Sequence, residues 1–185
     1  MFHALEDAFQ HHGFLTITGE NGEKEVKEVI LFFSKHSVFS NFYPVKGGFN
    51  VDGVTYCCVE KYFQASKARH FGDMDAYEKI MVCTTGKEMQ AIGRKVVGFN
   101  PEEWLKVCDE VLFTAQKAKF SSPSLKGFLE NTDDALLVES SPYDKRYGVG
   151  KSILQIITEG GVELTLENNY CGRSLMKVRE FLRGG

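Results

Sequence analysis

With 185 residues, 43% of them hydrophobic and 25% charged, the chain is sized and composed for one soluble globular domain. Its 22 basic and 25 acidic side chains leave a net charge of −3, so no global positive field exists to attract nucleic acid, and any phosphate contact needs a local basic patch. The five cysteines, Cys57, Cys58, Cys83, Cys108 and Cys171, form no C-x-x-C pair and have no His at ligand spacing. Reduced thiols are therefore expected, with no disulfide frame, metal site or cofactor. No apolar run has the length of a membrane span, and residues 1–14, with Glu6, Asp7 and three His, lack the pattern of a signal peptide, so a cytoplasmic protein is expected.

Phe2, Leu5 and Phe9 stand at helical spacing and predict a short helix over 2–12. A β-hairpin should follow, Gly13 to Thr18 pairing with Glu25 to Phe33 across the turn-forming Gly19-Glu20-Asn21-Gly22. Ser34 to Pro44 is an aromatic-rich loop holding Phe39-Ser40-Asn41-Phe42-Tyr43, and a second hairpin is expected over Phe49 to Cys57, turning at Val51-Asp52-Gly53. It leads into a helix containing Glu60. Short helices are expected over Asp75 to Val82 and, from the capping box Thr85-Gly86-Lys87-Glu88, to about Val97. Asn100-Pro101 opens one long helix carrying Trp104, Cys108, Val111, Leu112, Ala115 and Ala118 to Phe120. Beyond it come a short helix from Ser122-Pro123 to Leu129, a strand at Ala135 to Val138, and a loop over Ser140 to Gly150. A third hairpin is expected from Ile153 to Thr158 and Val162 to Leu166. Last comes a helix capped by Asn168-Asn169, burying Leu175, Met176, Val178, Phe181 and Leu182.

The stretch Cys58 to Arg69 carries the chemistry. On a helix, Glu60, Phe63, Gln64 and Lys67 fall at i, i+3, i+4 and i+7, so one stripe bears a carboxylate, an aromatic ring, an amide and an amine. Acid–amine pairs at this spacing are also common on solvated faces; here apolar Val59, Tyr62, Phe63 and Ala65 surround the pair.

Several segments, in order, resemble the NADAR (YbiA-like) family of N-glycosidases: Ser40-Asn41-Phe42-Tyr43-Pro44, Glu60-Lys61-Tyr62-Phe63-Gln64-Ala65-Ser66-Lys67, Gly93-Arg94-Lys95, Trp104, Ala118-Lys119-Phe120, Leu137-Val138-Glu139-Ser140-Ser141-Pro142-Tyr143-Asp144 and Asn169 to Glu180. The resemblance runs from about Phe32 to Leu182. It implies an α+β, mostly helical single domain with small β-hairpins over 31–185, preceded by an extension over 1–30 that holds the short helix and the start of the hairpin. It also implies cleavage of the N-glycosidic bond of a ribosylated base. The substrate would be ADP-ribosylated guanine in nucleic acid, with ADP-ribose released, or a ribosylaminopyrimidine phosphate of riboflavin synthesis. A non-catalytic ADP-ribose or NAD-binding module is the alternative from another class.

Breaking such a bond builds an oxocarbenium-like sugar, which calls for a carboxylate near the anomeric carbon and a group that protonates the base or activates water. On the resemblance, Glu60 is that carboxylate. Lys67 either stabilises leaving-group charge or, with its pKa lowered by burial, attacks the sugar as a Schiff-base nucleophile. Asp144 would bind ribose hydroxyls or assist water. Phe63, Gln64, Arg94, Lys95, Trp104, Lys119, Asn41, Tyr147, Gly148 and Asn169 match positions that would bind substrate, with core packing open for Trp104 and helix capping for Asn169. Tyr147-Gly148 replaces the family's usual tryptophan-glycine, which keeps an aromatic wall but shrinks it and adds a hydroxyl.

Overall fold

The structure, a computed structural model, describes residues 9–184. In chain order its elements begin with β1 (Gln10–Thr18), β2 (Lys24–Phe32), β3 (Phe49–Val51), β4 (Val54–Tyr56), α1 (Val59–His70), α2 (Met74–Val82) and α3 (Gly86–Gly93). They continue with α4 (Pro101–Leu105), α5 (Cys108–Phe120), α6 (Pro123–Glu130), β5 (Leu136–Glu139), α7 (Ile153–Glu159), β6 (Gly161–Glu163) and α8 (Tyr170–Gly184). The fold is α+β and mostly helical. Backbone contacts divide it into two compact units: Pro44–Ser122 forms one, and the described residues on either side form the other. Among the described residues, no helix is long and apolar enough to cross a membrane.

The unit made of the two flanking segments is built on a four-stranded sheet in the order β5-β2-β1-β6. β1 and β2 pair antiparallel from Gln10↔Phe32 to Thr18↔Lys24, while β5 adds to β2 and β6 to β1, both parallel. Leu15 and Ile17 alternate inward on β1 and meet Val29, Leu31, Val138 and Val162 in one cluster. Each such side chain contributes roughly 1.5–3 kcal/mol when fully buried. The first hairpin is thus the middle of the sheet, and β2 runs across position 30. Of the helix expected over 2–12, residues 2–8 lie outside the described residues, and Gln10–His12 begin β1 instead.

The third hairpin is replaced by a helix followed by a strand. Ile153–Glu159 is α7, because Ser152 and Gln155 form a reciprocal capping box and Gly160 ends the helix at φ 72°. Ile153 and Ile156 then sit one helical turn apart against the sheet core. A short apolar run satisfies either period, and here the caps decide. The strand itself shortens to Gly161–Glu163 and pairs with β1 rather than with its predecessor.

The start of α8 also differs from expectation. Neither asparagine side chain caps it: Asn168 accepts from the Thr165 N–H and donates to the Glu163 carbonyl, and Asn169 turns to β5. Instead the N–H groups of Asn169, Tyr170 and Cys171 donate to the carbonyls of Gly148, Arg146 and Tyr147 at 2.9, 3.0 and 3.0 Å. The loop at Asp144 is therefore the cap of α8. Leu175, Val178 and Leu182 are buried as expected and Met176 partly so, but Phe181 is 52% exposed, because it lies off the stripe that α8 buries.

In the Pro44–Ser122 unit, β3 and β4 form the expected hairpin, with Asp52 and Gly53 both at positive φ (51° and 82°), the conformation of a type I′ turn. α1 packs on α2, α3 and α5. Two helices are shorter than their pattern. α3 stops at Gly93, and the chain beyond it is drawn to Asp73, whose Oδ2 accepts from the Val97 N–H at 2.8 Å while Oδ1 caps α2 through Ala76. The long helix from Pro101 is broken at Lys106 and Val107, the latter at φ −124°, into α4 and α5. Trp104 and Cys108 are both buried and four apart, so the hydrophobic period survives the break and does not mark it.

Candidate active site

α1 follows Cys58, which is extended (φ −159°) and packs its thiol on the Met89 sulfur, while the adjacent Cys57 is exposed. Burial pushes the Cys58 thiol up to about 12, so it stays neutral and inert. One turn on, Glu60, Gln64 and Lys67 lie on one face, and all three are buried. Gln64 Nε2 donates to Glu60 Oε1 at 2.8 Å, fixing the carboxylate. Gln64 Oε1 is buried with no hydrogen-bond partner among the described residues. Gly93 of α3 packs directly on it, and a Cβ there would collide with this oxygen. An orphaned acceptor beside a positioned carboxylate suits a ligand N–H or hydroxyl.

Two lysines of α1 are buried, and their surroundings separate their roles. Lys61 Nζ donates to the Met81 carbonyl at 2.9 Å, satisfying the C-terminal end of α2. Lys67 is 9% exposed, and its ammonium makes neither a hydrogen bond nor an ion pair among the described residues; it stands 5.2 Å from the Phe99 ring centroid. Desolvation lowers its pKa below the usual 10.5, the Glu60 charge opposes that shift, and Arg94 adds to it. This is an amine held near a carboxylate but not neutralised by it, which is the state a nucleophile or proton donor needs.

An aromatic wall adjoins the stripe. Phe63 meets Trp104 edge-on at 5.3 Å, and Trp104 in turn contacts His70 at 5.9 Å and Phe71 at 6.4 Å. Phe71 carries Phe99 at 5.4 Å. Trp104 is buried and packs in this wall, which is the core role left open for it. Arg94 and Lys95 are exposed at the end of α3; Arg94 is close enough to act on Lys67, whereas the Lys95 ammonium makes no hydrogen bond or ion pair among the described residues. Lys119 is fully buried in α5, its ammonium 4.9 Å from the Phe120 ring centroid.

The remaining expected residues belong to the sheet unit. Asp144 Oδ1 accepts from the N–H groups of Arg146 and Tyr147 at 2.9 and 2.8 Å, an Asx turn that shapes the loop. Its Oδ2 has no such partner among the described residues. Tyr147 meets Tyr170 edge-on at 6.3 Å, and the guanidiniums of Arg146 and Arg173 lie 3.9 and 4.2 Å from the Tyr170 ring centroid. Gly148 is buried where a Cβ would press on the Glu139 and Asp144 carbonyls. Asn169, at φ 54°, donates to the Leu137 carbonyl and accepts from the Glu139 N–H, both at 2.9 Å, so both ends of its amide brace β5. Asn41 Oδ1 accepts from the Cys171 thiol at 3.6 Å.

Residues 31–183 match the model of the NADAR domain. The chain belongs to the NADAR family. A relative named N-glycosidase R617, of Acanthamoeba polyphaga mimivirus, is 34% identical over 152 residues, covering 77% of this chain and 86% of that protein. A second, the riboflavin biosynthesis protein PYRR of Arabidopsis thaliana, chloroplastic, is 37% identical over 110 residues, which are 57% of this chain but 16% of the relative. Among solved structures, the NMR structure of the E. coli protein YbiA aligns with a TM-score of 0.66 at 30% identity over 84% of each chain. The NADAR match begins inside β2, so β1 and most of β2 lie before it.

Three features of the site had no counterpart in the sequence pattern: Phe99 beneath Lys67, the contact of Gly93 with Gln64, and the separate task of Lys61. Phe99 and Gly93 act through tertiary contacts that leave no period.

Proposed function

We propose that this N-glycosidase acts on ADP-ribosylated guanine in nucleic acid, releasing ADP-ribose. The observation that carries the reading is Lys67: a buried amine with lowered pKa and no hydrogen bond among the described residues, on the same face as the Gln64-fixed carboxylate of Glu60. Glu60 supplies negative charge against the oxocarbenium-like sugar. The Lys67 amine adds to the anomeric carbon as the C–N bond to the base breaks, and the base leaves with the proton the amine gives up. The glycosylamine so formed then opens to an imine, its C1–ring-oxygen bond breaking and the ring oxygen taking the second amine proton as a hydroxyl. One water then hydrolyses the resulting imine, giving the sugar its oxygen and returning the amine. The hairpin ahead of the family match and the Tyr147-Gly148 pair support the larger substrate.

A second substrate, a ribosylaminopyrimidine phosphate, is favoured by the riboflavin biosynthesis relative, and the same chemistry serves both. The test is mass-spectrometric detection of ADP-ribose loss from a single-stranded oligonucleotide carrying ADP-ribosyl guanine, with Glu60→Gln alongside. Removal by the wild type and loss of at least about 10²-fold in the variant supports the reading. An untouched oligonucleotide together with a hydrolysed pyrimidine substrate transfers the assignment to the second reading. Borohydride reduction during turnover should leave the sugar on Lys67, and absence of that adduct would remove the covalent step.

A further inference from the structure

α1 has a second polar face, turned away from the Glu60, Gln64 and Lys67 stripe. Tyr62, Ser66, Arg69 and His70 repeat at helical spacing there and line a cavity of about 270 Å³ with Asp52 and Tyr56. The whole cavity lies within the Pro44–Ser122 unit. Its groups are not consumed by the fold. Arg69 has no carboxylate within ion-pair distance among the described residues; its guanidinium lies 5.9 Å from the Tyr77 ring centroid. Among the described residues neither the Ser66 hydroxyl nor the Tyr62 phenol makes a hydrogen bond, and the Asp52 carboxylate is likewise without a partner. His70 is held by Glu103 at 3.1 Å. Tyr56 is the closed wall, buried against the edge of Tyr62 at 5.0 Å, and burial with the neighbouring Tyr77 phenol pushes it up to about 12, so it stays neutral.

A fork of guanidinium donors beside a hydroxyl fits a phosphate. A carboxylate across the same cavity opposes a bare anion but accepts from a pair of sugar hydroxyls. We propose that this cavity is a second binding site, for a phosphorylated ribose unit, with Arg69 and Ser66 on the phosphate and Asp52 on the ribose hydroxyls. The volume is close to the lower end of small-ligand pockets, about 300 Å³, so one such unit fits and a dinucleotide does not. The hairpin turn sets the carboxylate: Asp52 at φ 51° and Gly53 at φ 82° project it beside α1. The proposal goes beyond the chemistry assigned to Glu60 and does not depend on which bond that residue helps to break. The same phosphate could belong to a polynucleotide strand or to a free mononucleotide.

The experiment is fluorescence-anisotropy titration of an unmodified single-stranded oligoribonucleotide at several salt concentrations, on wild type, Arg69→Ala and Asp52→Asn, each checked for folding by circular dichroism. Adenosine monophosphate is the second probe, followed by the amide NMR signals of Ser66 and Arg69. For a strand, Arg69→Ala should weaken binding about tenfold at low salt and reduce the log–log salt slope by about 0.7. Asp52→Asn should erase a preference for the ribo- over the deoxyribo-strand. For a free nucleotide, adenosine monophosphate shifts those two amides in the wild type but not in Arg69→Ala, and the oligonucleotide does not compete. Unchanged affinity and slope in Arg69→Ala, with no shift of Ser66 or Arg69 by the nucleotide, overturns the site. Because both probes lack the scissile modification, these results are independent of whether ADP-ribosyl guanine is cleaved.

Discussion

Replacing Lys67 with methionine should separate catalysis from folding. Methionine keeps the unbranched stem that α1 buries and removes only the charge. That charge is desolvated, makes no hydrogen bond among the described residues, and is opposed by Arg94. Removing it should leave stability unchanged or raise it by up to about 1 kcal/mol, as when uncompensated buried charge gives way to an apolar side chain. For a chain of this length that corresponds to a Tm change of about 0 to +4 °C by calorimetry. Activity should fall about 10²–10⁴-fold in single-turnover base release, the range expected for loss of a positioned acid, base or nucleophile. The pH dependence adds a sign. The folded pKa lies below the unfolded 10.5, so between the two the unfolded chain holds more protons and stability rises with pH through that window. Below the folded pKa the cost of the buried charge is fully present. Lys67→Met should lose that rise. A Tm falling by more than about 4 °C with activity lost in proportion would refute the argument and make Lys67 a structural residue.

Lys61→Met should show the opposite split: the Met81 carbonyl loses its donor, stability falls by about 1–3 kcal/mol in urea titration, and the activity per folded molecule is retained. Gly93→Ala should push the Gln64 amide off Glu60 and cut kcat/KM about tenfold, with a stability change under about 1 kcal/mol because alanine is the better helix former. Asn169→Ala should cost about 2–4 kcal/mol by urea titration, since it removes both hydrogen bonds that brace β5 and leaves the Leu137 carbonyl unmatched.

The fold was legible where local chemistry and hydrophobic period agree. The turn at Asp52-Gly53, the Thr85-Glu88 box and Asn100-Pro101 each placed an element start within a residue or two. It was not legible where one pattern serves two structures. Ile153 to Thr158 reads as a strand by composition, and only Ser152 with Gln155 and the left-handed Gly160 reveal the helix. The break between α4 and α5 is invisible because Trp104 and Cys108 keep register across it. Asn168-Asn169 points to the wrong groups for the cap of α8, because asparagines before a helix usually cap it through their side chains. Here Asn169 sits at φ 54°, which aims its amide at β5, so the donors of α8 find loop carbonyls from twenty or more residues earlier in the chain.

The candidate site divides the same way, and the division bears on how its residues work. Helical spacing alone places Glu60, Gln64 and Lys67 on one face, because three groups on one rigid helix need no tertiary information. What spacing cannot supply is the state of each group. Lys61 and Lys67 are both lysines, both buried and on the same helix, yet the ammonium of one is satisfied by a carbonyl of α2 and that of the other, over an aromatic ring, has no hydrogen bond among the described residues. The difference comes from α2 ending beside Lys61 and from Phe99 reaching Lys67 out of a loop. The reactivity proposed for Lys67 therefore depends on what the neighbouring elements withhold from it, and a substitution that gave its amine a partner, such as Phe99→Glu, should silence the site while leaving Glu60 and Gln64 in place.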